Sequence, residues 1–444
     1  MASRSKKICV IGAGPSGLAV LFHFATINTD NHVKIVCFEK QSTWKGMWIY
    51  TGHQETDEDD IFNKTEHHWR TNRCHSNQHD IVSDDCSDNP SISNPSTLSL
   101  RDYLEGRWKN RVDLDQFIRP HELVRYVQFN DDLDNFSVTS TNLVTNETSI
   151  ETFSHVIVAT GIFNVPIVPS FPGIETFKGQ IVYAHCIHNA EGIKGQRLLI
   201  VGAPYSIQDL ATRCMKSGAK SVICTYRTKQ ASVRLANGID QRPWLQKFEG
   251  NVAYFKDRSF ADIDCVVIGT GYIYSYRFME DRLRLKSSPT FYPDNLYKGS
   301  VWMGVGHNKL FYIGTQDRLY SLTLFDAQGI WVCKYILEKL SDEPKSTYEM
   351  RRSVKEWVRL SSRASSLDGY VKFLKDFILD LSKDFGCLMY TSTSELTANR
   401  LSKSRSEHGH EISSRRRLMS TPESTCRSNR PFVRFHSLHD DKGH

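Results

Sequence analysis

No CxxC pair occurs in this 444-residue chain, although it carries 11 cysteines. That absence removes the redox dithiol of a disulfide reductase and the paired thiols of a zinc site, and scattered thiols in odd number give no disulfide framework. Cys9 and Cys37 sit inside apolar runs and read as small core residues, in keeping with a reducing, cytoplasmic setting. The chain also lacks the run of about 20 apolar residues that a membrane span requires. Met1 to Lys7 is polar and basic and leads straight into a strand-like segment, without the apolar stretch or cleavage site of a secretory signal. Strong charge of one sign is missing too. The net charge is only +6, and no basic patch interleaved with aromatics accompanies it, so no nucleic acid partner is expected. No metal is expected either.

What is present is a soluble globular composition, 39% hydrophobic and 24% charged, long enough for two or three domains. Lys7 to Ile11 is a short apolar run that ends in glycines and meets the helix-like Leu18 to Phe24. Val33 to Phe38 is a second strand, ending at the acidic Glu39, and the three segments make a βαβ unit. Residues 56–95 are polar and aperiodic, which predicts loops. A β-rich stretch from Phe117 to Thr160 ends in Val-Ala-Thr-Gly161. After the proline-punctuated Val165 to Pro172, the pattern restarts: strand Arg197 to Gly202, helix to Ser217, strand Ser221 to Tyr226. Ile-Gly-Thr-Gly271 then echoes the earlier strand end. Leu310 to Gly314 leads into a helix through Leu340. From Thr391 the chain is rich in Ser and Arg and reads as a disordered basic tail.

Gly12-x-Gly14-x-x-Gly17 lies between a strand and a helix, the context that gives this pattern its meaning. Gly12 permits the tight turn, Gly14 lets the backbone approach a pyrophosphate, and Gly17 lets the helix pack on the strand. The phosphates would then lie on free N–H groups at the positive helix end, and Glu39 is placed to accept ribose hydroxyls. In the second unit, Gly202-Ala-Pro204-Tyr205-Ser206 keeps only the first glycine, and Pro204 removes an N–H that could have faced phosphate. That unit ends in Tyr226-Arg227-Thr228-Lys229, basic where the first is acidic, which suits the additional phosphate of NADP. One acidic-ended and one basic-ended dinucleotide fold are the parts for passing hydride from NADPH to FAD. With no dithiol to receive the electrons, oxygen is the remaining common acceptor.

These stretches, together with Val36-Cys-Phe-Glu-Lys-Gln41, Gly46-Met47-Trp48, Gly218-Ala-Lys220, Asp281-x-Leu-Arg-Leu285, Tyr297-Lys-Gly299, Lys309 to Asp317 and Phe325 to Gln328, resemble the flavin-containing monooxygenases, in particular the trimethylamine monooxygenase branch. The resemblance implies a reaction in which NADPH reduces FAD and one atom of O2 passes to a small-molecule amine or sulfide. It implies an FAD set of Gly12, Gly14, Pro15, Ser16, Gly17, Glu39, Lys40, Gln41, Met47, Trp48, Thr160 and Gly161, with Gln316 and Gln328 on the flavin side. The NADP set is Gly202, Tyr205, Ser206, Arg227 and Thr228. Tyr205 and Asp317 match residues lining the nicotinamide and substrate region, and Asn72 is the candidate for the asparagine that reaches the flavin edge. The chain departs from the pattern at Lys45, Tyr183, Pro204 and Leu319, and no Asn-Gly-Pro segment is recognisable.

The expected fold is α/β, with two Rossmann-like dinucleotide-binding domains and the NADP domain inserted into the FAD domain: FAD domain 1–164 and 307–390, NADP domain 165–306, tail 391–444. A homodimer is implied by the resemblance. Three functions stay open: N- or S-oxygenation; a Baeyer–Villiger-type or uncoupled NADPH oxidase; and a catalytically impaired flavin-binding interaction protein.

Overall fold

The computed structural model describes residues 6–28, 33–44, 104–109, 111–161, 165–166, 169–183, 190–202, 204–226, 238–273, 275–286, 291–316, 321–341, 343, 345–364, 367–385, 387–388 and 436–437. The described parts of Met1–Gly46, Ser76–Gly161 and Tyr276–His444 form one compact unit, and those of Ile162–Ser275 a second.

The first unit is built on a seven-stranded sheet in the order Leu296–Tyr297, Val301–Trp302, Leu310–Tyr312, His155–Val158, Lys6–Ile11, Val33–Phe38, Ile118–Arg119. The five strands from Leu310–Tyr312 to Ile118–Arg119 run parallel, and two short antiparallel strands extend one edge. Ile8, Cys9 and Val10 are all fully buried. Burial on both faces explains why this run shows no alternation of polar and apolar residues. The helix Pro15–Ile27 packs on the helix Ser321–Ile336. Gly329 makes the approach possible, since a β-carbon there would lie 3.1 Å from His23 Cδ2 and 3.2 Å from the Ala19 carbonyl carbon. Between Ile118–Arg119 and His155–Val158 the chain makes an antiparallel meander, Glu122–Asn130, Asn135–Asn142 and Thr148–Phe153. The helices Thr347–Arg363 and Leu367–Asp384 complete the unit.

The second unit holds a wholly parallel sheet in the order Ile239–Pro243, Ser221–Tyr226, Arg197–Gly202, Cys265–Gly269, Gln180–Tyr183. Its central strand feeds two cores by simple alternation. Leu199 and Val201 join Phe171, Phe248 and Phe255 on one face, while Leu198 and Ile200 join Leu210 and Cys214 of the helix Pro204–Lys216 on the other. An antiparallel meander, Leu245–Glu249, Val252–Phe255 and Phe260–Asp262, covers the first face. The same order of strand, helix, strand, meander, strand is therefore used in both units. The echo between the two strand ends is also structural. Gly161 and Gly271 both take positive φ, +79° and +91°, with open space where a β-carbon would stand.

The sequence boundary at 306 moves. The chain rejoins the first unit at Tyr276, because Leu296–Tyr297 and Val301–Trp302 hydrogen-bond into its sheet. Residues 47, 48, 56–95, 391–435 and 438–444 lie outside the described residues. Among the described residues, no helix is long and apolar enough to cross a membrane.

Candidate active site

In the first unit the turn after Lys6–Ile11 is fixed by backbone contacts that leave no room for side chains. Gly12 has φ +98°, and its N–H donates to Phe38 O at 2.9 Å. A β-carbon on Gly12 would lie 2.8 Å from Ala159 O, and one on Gly17 would lie 2.0 Å from Gly12 O. Gly14 instead is extended, with φ −73° and ψ −176°, and caps the helix with no side chain. Pro15 opens that helix, where an N–H is dispensable. The first turn holds no acidic residue. No side chain caps this helix end, so its first N–H groups lie at the positive end of the helix dipole without a partner from the helix's own first turn.

Glu39 closes the site at the end of the neighbouring strand. It is buried, and its carboxylate accepts from Ala13 N (2.7 Å) and Gln41 N (2.9 Å). Burial pushes its pKa up, while those two N–H groups and Lys40 pull it back down. Two accepted bonds leave lone pairs free for hydroxyl donors. Ser16 donates to Ala159 O at 3.2 Å, which ties the helix to the end of His155–Val158. Beyond that strand lie Thr160 and Gly161. The Thr160 hydroxyl is shielded from solvent and has no hydrogen-bond partner. A glycine cradle that side chains would fill, an uncapped helix end, an acid with spare acceptors and an orphaned hydroxyl together fit an FAD dinucleotide.

Gln316 and Gln328 are buried at 3% and 0% exposure and bind each other. Gln328 Nε2 donates to Gln316 Oε1 at 2.7 Å and to Gly299 O at 3.1 Å, and its Oε1 accepts from Gly314 N at 3.1 Å. Gln316 Nε2 also donates to Gly299 O. The pair therefore braces the turn after Leu310–Tyr312.

In the second unit a β-carbon on Gly202 would lie 1.9 Å from Gly269 O, so this glycine serves the approach of two strand ends. The helix begins at Pro204, two residues after that glycine, with Tyr205 and Ser206 in its first turn. Thr225, next to last in Ser221–Tyr226, is buried with an unpartnered hydroxyl. Met47, Trp48, Asn72, Arg227, Thr228 and Asp317 lie outside the described residues.

Sequence reasoning missed one charged cluster in the first unit. Asp326, at 7% exposure, accepts from His23 Nε2 (3.2 Å), Trp108 Nε1 (3.2 Å) and Arg107 Nε (2.9 Å). Burial raises its pKa, but the Arg107 charge and these hydrogen bonds outweigh that and hold it far below the usual carboxylate range. Only spatial convergence reveals the cluster, since Asp326 lies 303 positions from His23 and 218 from Trp108 in the chain.

Two sheets with parallel centres, each with a strand, a glycine turn and a helix, define a protein with two dinucleotide-binding folds. The pattern described as flavin-binding monooxygenase-like matches residues 5–238. Trimethylamine monooxygenase of Methylocella silvestris is 35% identical over 385 residues, 84% of each chain, and that of Roseovarius nubinhibens is 34% identical over 85% of each. The crystal structure of Tmm from Pelagibacter sp. strain HTCC7211 superposes with a TM-score of 0.78 at 28% identity, covering 90% of both chains. This chain belongs to the flavin-binding monooxygenase-like family. A bound flavin is what the family's description names.

Proposed function

We propose that the chain is an NADPH-dependent monooxygenase that passes one atom of O2 to a soft nucleophile, with a small tertiary amine as the first candidate and a sulfide as the second. The observation that carries this reading is the glycine turn of the first unit, with Glu39 beside it, paired with a second parallel sheet whose strand Ser221–Tyr226 runs into the basic Arg227-Thr228-Lys229. The names of the relatives support the amine. When bound, the flavin supplies the redox chemistry, taking hydride from NADPH and activating O2. The protein's share is to hold, orient and dry the cofactor. Gly14, Ser16 and Gly17 would present backbone N–H groups to the pyrophosphate, Gly12 makes the tight turn and Pro15 opens the helix, and Glu39 would accept from the ribose. Asn72, Tyr205 and Asp317 are the candidates for the substrate side. We place the NADP unit within 162–275 and the FAD unit on either side of it. We also read the enzyme as cytoplasmic, with Cys9, Cys37, Cys214, Cys224, Cys265 and Cys333 free and buried, and as a homodimer by analogy with the family.

The test is NADPH consumption by the FAD-loaded protein with trimethylamine, with dimethyl sulfide and with neither, alongside a peroxide assay. Oxidation stimulated by the amine, with N-oxide formed, is expected. Pro204 favours one second reading, because a helix opening on proline offers phosphate one N–H fewer. Equal consumption without substrate, matched by peroxide, would establish that uncoupled oxidase. No NADPH oxidation at all would leave a flavin-binding interaction protein.

A further inference from the structure

The turn that follows Leu310–Tyr312 is braced more tightly than a connecting loop requires. Gly314 has φ +77°, its N–H is taken by Gln328, and Gly299 O receives both glutamine amides. All the hydrogen-bonding groups of the Gln328 amide are in use, and the Gln316 carbonyl and one of its N–H groups are as well. Inside this satisfied network stands a buried polar atom with no partner, the hydroxyl of Thr315. Thr315 is 7% exposed. A hydroxyl buried without a partner destabilises the fold that holds it, and such groups are kept where a ligand or ion completes them.

The position of Thr315 says which ligand. Leu310–Tyr312 runs parallel to His155–Val158, and Ile313 N donates to Val158 O at 2.9 Å, carrying the pairing one residue further. Thr315 therefore stands at the carboxyl end of the strand beside the one that ends in Thr160 and Gly161. Thr160 Oγ1 is another orphaned hydroxyl at this sheet end. Both strand ends abut the glycine turn. A β-carbon on Gly314 would be 3.3 Å from Ser16 Cβ, in the first turn of Pro15–Ile27, and one on Gly12 would be 3.3 Å from Thr160 Cα. In open parallel sheets, ligands lie in the crevice at these carboxyl ends.

We propose that Thr315 is a cofactor-binding residue: its hydroxyl hydrogen-bonds the FAD received at this sheet end, while Gln316 and Gln328 hold the turn in place. The inference rests on the FAD assignment made above. It carries an uncommon signature, opposite signs in two measurements. Thr315→Val keeps the shape and removes the orphaned hydroxyl, so the flavin-free protein should melt at the same temperature as wild type or higher. FAD affinity should nonetheless fall by about three- to tenfold, the size of one net hydrogen bond.

The experiment strips the flavin, then measures the thermal midpoint of the apoprotein and the FAD dissociation constant by flavin fluorescence. Thr315→Ser, which retains the hydroxyl, should bind FAD like wild type. A Thr315→Val protein with wild-type affinity overturns the proposal. So does one that fails to fold or melts lower than wild type as apoprotein, since the hydroxyl would then serve the fold itself. If the wild-type chain binds no FAD, the assignment beneath the proposal falls with it, and that result is visible before any variant is made.

Discussion

Gly17 is pressed against Gly12: the position of its absent β-carbon lies 2.0 Å from the Gly12 carbonyl oxygen, closer than any real side chain could stand. Backbone cannot yield as a flexible side chain can, so Gly17→Ala should cost stability at or beyond the upper end of the ~1–3 kcal/mol typical of overpacking. Gly14 has an ordinary extended backbone. Gly14→Val should therefore fold, yet place a branched side chain where the pyrophosphate must approach. We expect a melting temperature near wild type with no retained yellow cofactor for Gly14→Val, and loss of folded protein for Gly17→Ala. Gly161→Ala separates conformation from crowding. Its β-carbon would meet open space, so only the left-handed backbone resists, at about 1–2 kcal/mol. Denaturant titration of the three apoproteins ranks them.

Asp326 joins three segments and supplies the carboxylate that faces Arg107. Arg107, Trp108 and His23 all donate to it inside the packing of Pro15–Ile27 on Ser321–Ile336. Asp326→Ala leaves the partly buried Arg107 without this counter-ion, a change worth about 3–5 kcal/mol in buried pairs. Asp326→Asn retains an acceptor and should lose less. Chemical denaturation of both variants decides the point; equal losses would mean that the charge is unimportant and only the shape matters.

The sequence made the two βαβ units legible because their strands are unbroken apolar runs that stop at glycine, and Glu39 was legible from its place at a strand end. Gly17 could be read as a packing residue for the same reason. The helix Thr347–Arg363 was passed over, although Ser346 and Glu349 form a full capping box, Ser346 Oγ accepting from Glu349 N at 3.3 Å and Glu349 Oε2 from Ser346 N at 2.9 Å. Its Ser-x-x-Glu spacing was the available signal. The boundary at 306 failed because two-residue strands such as Val301–Trp302 carry no periodicity, and their sheet is decided by long-range pairing. Gln316 and Gln328 show the limit for sites. Motif position put them near the flavin, but the mutual hydrogen bond between them depends on the fold that brings a strand end onto a helix.

His155 gives the fold an acid-sensitive point. Burial, then the charges of Lys6 and Lys309, lower its pKa from 6.5 to about 4. Between those values the unfolded chain takes up a proton that the folded chain refuses, so stability is intact above pH 6.5 and falls as pH drops toward 4. The full loss is about 3 kcal/mol. Glu39, whose pKa is raised by burial, acts in the opposite sense, and comparison with a His155→Gln variant cancels it. That variant should lose distinctly less stability than wild type between roughly pH 7 and pH 4.5. Parallel curves for the two proteins would place the acid sensitivity elsewhere.

On the function proposed above, the choice of nicotinamide cofactor turns on the unlike strand ends of the two units. Glu39, buried and holding two N–H groups, would repel a phosphate on the ribose, which suits a site for FAD and not for NADP. Arg227, at the matching place after Ser221–Tyr226, carries the charge that would attract one. Losing that contact in Arg227→Ala should weaken NADPH recognition by about 1.5–3 kcal/mol, which is roughly 10- to 150-fold in kcat/KM, and leave NADH almost unchanged. The measurement is the ratio of kcat/KM for NADPH over NADH during flavin reduction under anaerobic conditions, where oxygen chemistry cannot interfere. A variant that keeps the wild-type ratio would put the phosphate on other residues, with Thr228 and Lys229 next to be changed. A variant that loses NADPH and NADH equally would mean that Arg227 supports the shape of the unit and reads no phosphate.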